Sequence, residues 1–129
     1  MSPPWLELTL ASDEVDTALR AGRSPRPDDV DELRSYLAEC RLDADHQQAI
    51  CFHEASAVVA EAGGDLQLAI QCRKRELTRI KTLLRHERDH PEDASAMAAL
   101  EELLGTSSRY GPDSVTDRMA RIAALEARL

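Results

Sequence analysis

His86, Glu87 and His90 stand in HExxH spacing within "LLRHERDHPED" (83–93), the arrangement in this chain that most directly names a reaction. On a helix, histidines four apart share a face and can hold zinc, while the glutamate between them activates a metal-bound water for peptide hydrolysis. The surroundings argue against that chemistry. Arg85, Arg88 and Asp89 load the motif with charge where a buried zinc cleft needs uncharged neighbours, and Pro91 disfavours helical geometry at His90. A third ligand would have to come from Glu101, Glu102 or Asp113. The segment reads better as a charged last turn whose basic groups face the carbonyl end of a helix. A mixed site of Cys40, His46, Cys51 and His53 would need a tertiary coincidence, so neither metal nor cofactor is expected.

The elements that would position any site are helical. The 129 residues suit a single domain, with 1–27 as an N-terminal segment and linker and 28–129 as the helical core. With Trp5, Tyr36, Phe52 and Tyr110 as the aromatics, the core must be built from Leu, Ala, Val and Ile, which favours packed helices over a sheet. The net charge of −8 repels phosphate backbones, so no nucleic-acid or anionic-membrane partner is expected. The absence of a long apolar run or a signal-like start points to the cytoplasm. Cys40, Cys51 and Cys72, odd in number and without a CxxC, read as reduced apolar residues.

Glycine and proline punctuate an all-α bundle of five or six helices. Trp5 to Leu10 alternates weakly and should dock on the domain. Ser12 is a candidate N-cap for a helix ending at Gly22, and "RSPRP" (23–27) is a stiff linker. Asp28 or Asp29 opens a second helix with Val30, Leu33, Leu37 and Cys40 on one face. A third runs from Asp43 or Asp45 to Ala62, "AGGD" (62–65) breaks the chain, and a fourth with Leu66, Ile70, Leu77, Ile80 and Leu84 continues to about His90. These two form a central antiparallel hairpin, 43–62 against 65–90. A fifth helix follows Pro91, with Met97, Leu100 and Leu104 before Gly105; the last, from Pro112, carries Val115, Met119, Ile122, Leu125 and Leu129 and should dock along its length.

Seven of the sixteen lysines and arginines fall between Arg73 and Arg88. Lys74, Lys81, Arg85 and Arg88 line one flank of the fourth helix's apolar stripe, with Arg75 and Arg79 on the other. They are either solvating charge or a docking surface for an acidic partner. Arg73 lies in the centre of the stripe, where an unpaired guanidinium would be costly. Glu54 and Glu61 across the hairpin are its expected partners, the alternative being an open groove.

"ASAVVAEAGGDLQLAIQCRKREL" (55–77) resembles the turn and flanking helices of a tetratricopeptide repeat, with Ala57 in the first helix, Gly64 and Asp65 at the turn, then Ala69 and Ile70. The resemblance implies a helical hairpin that binds peptides or proteins, with Glu54, Val58 and Glu61 of the first helix facing the partner. "HEASAVVAEAG" (53–63) resembles in one respect the histidine segment of phosphotransfer domains, which would make an exposed His53 a phosphoryl acceptor; Ser56 and Ala57 stand where those domains carry lysine and glycine. The preferred expectation is a noncatalytic adaptor, regulatory or assembly domain that binds another protein or peptide, or pairs with itself through the C-terminal helix. Its partner-binding candidates are Glu54, Val58, Glu61, Arg73, Lys74, Lys81, Arg85 and Arg88, with no catalytic residues.

Overall fold

The computed structural model describes residues 4–40, 46–89 and 112–129. Among them the chain is all-α, with five helices: α1 (Pro4–Arg20), α2 (Pro27–Glu39), α3 (His46–Ala62), α4 (Leu66–Asp89) and α5 (Pro112–Glu126). The expected fifth helix after Pro91, with Met97, Leu100 and Leu104, lies outside the described residues.

Two helices end in the same way. Gly22 and Gly64 take left-handed φ values of 72° and 81°, and the next amide of each reaches back to close the helix, Arg23 N–H to Ala18 O and Asp65 N–H to Ala60 O, both at 2.9 Å. Asp65 then caps α4, its Oδ1 accepting from the Leu68 amide at 3.1 Å. One residue thus closes α3 and opens α4, which folds these helices into the hairpin that dominates the packing. α2 starts with Pro27 in its first turn, followed by Asp28 and Asp29 at the positive end of the dipole.

The first helix departs from expectation. The residues from Trp5 onward are helical, continuous with the rest of α1, and Ser12 is buried in mid-helix rather than capping it. The physical reason is periodicity: Leu8, Ser12, Val15 and Asp16, all buried, recur at three- and four-residue intervals on one face, while Leu10 points out at 59% exposure. Trp5 does dock, half-buried against the cluster of Leu8, Val15, Leu33, Cys40, Ala55 and Val58 that α1, α2 and α3 share. A second cluster, Ala60, Ala69, Ile70, Ile122 and Leu125, joins α3, α4 and α5. A third, Ile50, Ile80 and Leu83, with Val115 against it, extends toward the far end of the hairpin.

α5 is rotated from the apolar stripe read in the sequence. Ile122 and Leu125 are buried, but Met119 is 54% and Leu129 68% exposed, and Ser114 and Arg118 occupy the inner face. No described helix is long and apolar enough to cross a membrane.

Asp65→Ala should cost about 1 kcal/mol in urea unfolding, and Asp65→Asn only a few tenths, because asparagine can still accept from the Leu68 amide.

Candidate functional site

Two polar features stand out, one inside the bundle and one on its surface. The internal one centres on Arg73, which is 1% exposed and donates to Glu76 Oε1 at 2.9 Å and to Asp16 Oδ1 at 3.2 Å. Internal pairing of Arg73 is as expected; its hydrogen bonds go to Glu76 and Asp16, while the expected Glu54 acts on it as a nearby charge. Glu54 and Glu61 face α5 instead: Arg118 donates to Glu54 Oε2 at 2.8 Å, and Arg121 to Glu61 Oε1 at 3.0 Å and to Asp16 Oδ1 at 3.2 Å. Arg118 Nε also meets Glu76 Oε2 at 3.2 Å and its Nη1 meets Asp117 at 2.9 Å, while Arg20 binds Asp117 with both Nη groups and Asp16 with Nε. The contacts close a ring of alternating sign: Asp16, Arg73, Glu76, Arg118, Asp117, Arg20 and back to Asp16.

The ring spans gaps that the backbones leave open. No described Cα of α1 lies within 8 Å of one in α4 or α5, nor one of α3 within 8 Å of α5, yet arginine side chains join all three pairs. Fixed dipoles and guanidiniums do not fully offset the burial: Glu76 is pushed up to about 7, first by desolvation and then by the neighbouring Glu54 carboxylate, with Arg73 and Arg118 opposing. A hydrogen bond between the Glu54 and Glu76 carboxyls requires a proton, which adds to the same upward shift. The opposite holds at the rim, where the hydrogen bond from Arg20 draws Asp117 below its usual range.

Burial also decides which candidates can meet a partner. Glu54, Val58, Glu61 and Arg73 are all buried, so the expected partner-facing surface of the first hairpin helix is turned inward against α1, α4 and α5. Lys74, Lys81, Arg85 and Arg88 are exposed along α4. Lys74 has a loose contact with Glu126 at 3.9 Å, Arg85 donates to Thr82 at 3.4 Å and Arg88 approaches Asp89 at 3.7 Å, all exposed pairings that contribute little. Among the described residues Arg75, Arg79 and Lys81 have no hydrogen bond or ion pair. With Glu76 turned inside, this helix, about 36 Å long at 1.5 Å per residue, presents a row of cations on both flanks of its buried stripe, Lys74, Lys81, Arg85 and Arg88 on one and Arg75 and Arg79 on the other.

At one end of that row, His53 of α3 and Lys74, Arg75, Thr78 and Arg79 of α4 line an open cleft of about 340 Å³. The balance of charge is unusual there for a chain of net −8: three cations and no carboxylate among the described lining residues. His53 is 7% exposed, with the Phe52 ring edge-on at 5.9 Å, and has no hydrogen-bond partner among the described residues. Burial, then Arg75 and Arg79, push its pKa down, so the ring is neutral at neutral pH. Its burial differs from the exposed histidine that a phosphotransfer segment requires.

The metal readings gain no support in geometry. Among the described residues no group of three His, Cys, Asp or Glu gathers around a common point. His86 is half-buried near the end of α4, whereas the Glu87 side chain, His90, Glu101 and Glu102 lie outside the described residues. Cys40, Cys51 and Cys72 are not joined in disulfides, and burial raises the thiols of Cys40 and Cys72. No family model, curated protein or solved structure matches the chain.

Two mutations separate the interior from the rim. Arg118→Met strands Glu54 and Glu76 and should cost about 3 kcal/mol near pH 8, less near pH 5, where Glu76, with its raised pKa, is already protonated; Arg20→Ala, on a pair more than a third exposed, should cost under about 1 kcal/mol. Glu76 adds a pH signature of definite sign. Because its folded pKa lies above its unfolded value of 4.5, the native state holds a proton the unfolded chain has lost, so its contribution is full below the unfolded value and declines as pH rises through about 7. Urea unfolding from pH 5 to 8 should show this decline in the wild type and a flatter profile in Glu76→Gln.

Proposed function

We propose that the protein is a noncatalytic interaction module that recognises an acidic segment of another protein along the exposed side of α4. The observation that carries this reading is the basic row itself: Arg75, Arg79 and Lys81 lack acidic partners among the described residues of an otherwise acidic chain, while the ionic contacts of Arg73, Arg118 and Arg121 are spent inside. A carboxylate-rich segment would find Lys81, Arg85 and Arg88 already exposed at helical spacing, and a surface of one sign steers an oppositely charged partner into encounter. The inward-turned Glu54, Val58, Glu61 and Arg73 support the rigid hairpin in this reading, without touching the partner. The tetratricopeptide resemblance is compatible with such a role, although the contact face proposed here is on the second helix.

Self-association remains a second reading with its own observation, since Met119 and Leu129 place exposed apolar surface on and just after α5. Native mass spectrometry distinguishes a dimer from a monomer directly.

A glutamate-rich peptide titrated calorimetrically should bind with an affinity that falls as salt rises. Lys81→Glu combined with Arg85→Glu should weaken it about tenfold, the equivalent of roughly 1.4 kcal/mol, while leaving the helical signal unchanged. Absence of binding at low salt, or binding indifferent to the double reversal, would reject α4 as the contact surface.

A further inference from the structure

The cleft at the start of the basic row differs from the rest of α4 because a largely buried histidine, with no hydrogen-bond partner among the described residues, forms part of its wall. His53 is 7% exposed and lacks a hydrogen-bond partner among the described residues, yet its side chain lines the opening between α3 and α4. Its ring nitrogens are not among the fully enclosed unpaired atoms, so they keep contact with the opening of the cleft and are available there to water or to a ligand. What it would take up is set by the walls. Arg75 and Arg79, one helical turn apart and without ion pairs, line it with Lys74, whose ammonium also lies 3.9 Å from Glu126, while Thr78 already donates its hydroxyl to the Lys74 carbonyl at 3.0 Å and can only accept. The donors of this site are therefore two guanidiniums, an ammonium and an imidazole.

We infer that the cleft binds a phosphate monoester dianion carried on a phosphorylated side chain of the partner. A single carboxylate would be satisfied by one forked guanidinium, leaving the second arginine and the histidine unmet; a dianion with three terminal oxygens can engage both arginines and still accept from His53. The cleft, about 340 Å³ in volume, is open on one side, so the ester oxygen can lead out to a peptide. Lys81, Arg85 and Arg88 follow along α4 on the flank of Lys74, where acidic residues flanking the phosphorylated one would lie. The inference rests on the proposed recognition of an acidic partner by α4 and specifies the group that anchors it. No covalent step is involved; His53 acts as a hydrogen-bond donor whose protonated form the dianion favours.

The test uses the full chain, following the His53 ring resonance by NMR, assigned by its loss in His53→Gln. The probes are a glutamate-flanked peptide with a central phosphoserine, its unphosphorylated form, the blocked phosphoserine amino acid alone, and a thymidine oligonucleotide. The phosphopeptide should shift the resonance saturably, raise the pH midpoint of His53, and bind at least about tenfold more tightly than the unphosphorylated peptide. Arg75→Gln with Arg79→Gln should remove that advantage and raise the His53 midpoint in the free protein, since both arginines lower it. The wild-type comparison stands by itself if the double variant folds poorly.

Equal affinity for the two peptides with no movement of His53 would overturn the phosphate site and leave recognition of acidic segments by α4 intact. A shift by the amino acid that the peptide does not strengthen would support the site and count against the extended partner. A shift by the oligonucleotide equal to that of the phosphopeptide would overturn the monoester assignment in favour of a phosphodiester.

Discussion

Placing Arg73 in the interior sets a requirement that the rest of the bundle meets. A guanidinium taken out of water is costly unless carboxylates surround it, and α4 supplies only Glu76 from within its own length. Asp16 must come from α1, and once Asp16 and Glu76 are buried they in turn need Arg121 and Arg118 from α5. Each charge calls in the next. The result is a set of mutual obligations among four helices, in which removing one member strands at least one neighbour. Burial is not wholly compensated in and around the ring: the Nε atoms of Arg73 and Arg121 and the hydroxyl of Ser12 are buried without partners among the described residues. Such a network restricts how α5 can dock more strongly than apolar contacts alone would, because a shift of one turn would misplace every arginine on it.

The same arrangement sorts the remaining charge. Glu54, Glu61 and Glu76 are drawn inward, so between Leu66 and Arg85 the charged side chains that α4 turns to water are lysines and arginines, with Asp65 and Asp89 exposed at its two ends. The exposed carboxylates gather elsewhere, with Asp28, Asp31, Glu32 and Glu39 on α2. A chain of net −8 thereby displays a basic strip without changing its composition. The proposed contact surface is thus a consequence of what the core consumes, and the cleft at His53 is where that strip meets the one nearly buried imidazole described here.

Local signals proved dependable where the physics is local. Gly22 and Gly64 ended helices because a left-handed residue closes them at little steric cost, and Asp65 began the next because its carboxylate satisfies a free amide. The hairpin of α3 and α4 followed from such signals plus apolar periodicity. Ser12 misled for an instructive reason: serine caps helices and also sits inside them, and only the burial of Leu8 and Val15 on the same face distinguishes the two. Half of the expected contact residues, Lys74, Lys81, Arg85 and Arg88, are at the surface. The other half are core, because Glu54, Glu61 and Arg73 found partners on helices far away in sequence.

The order of residues by itself therefore determined the all-α class, the hairpin and the anomaly at Arg73, since each depends on spacing within a few helical turns. Tertiary structure decided which carboxylate met which arginine. In α5 the apolar stripe through Met119 and Leu129 suggested one buried face, yet Arg118 and Arg121 turn the helix toward Glu54, Glu61, Glu76 and Asp16. Periodicity records where apolar side chains fall on one helix; it carries no term for the charge waiting on another, and in a desolvated interior that charge outweighs the exposure of a methionine.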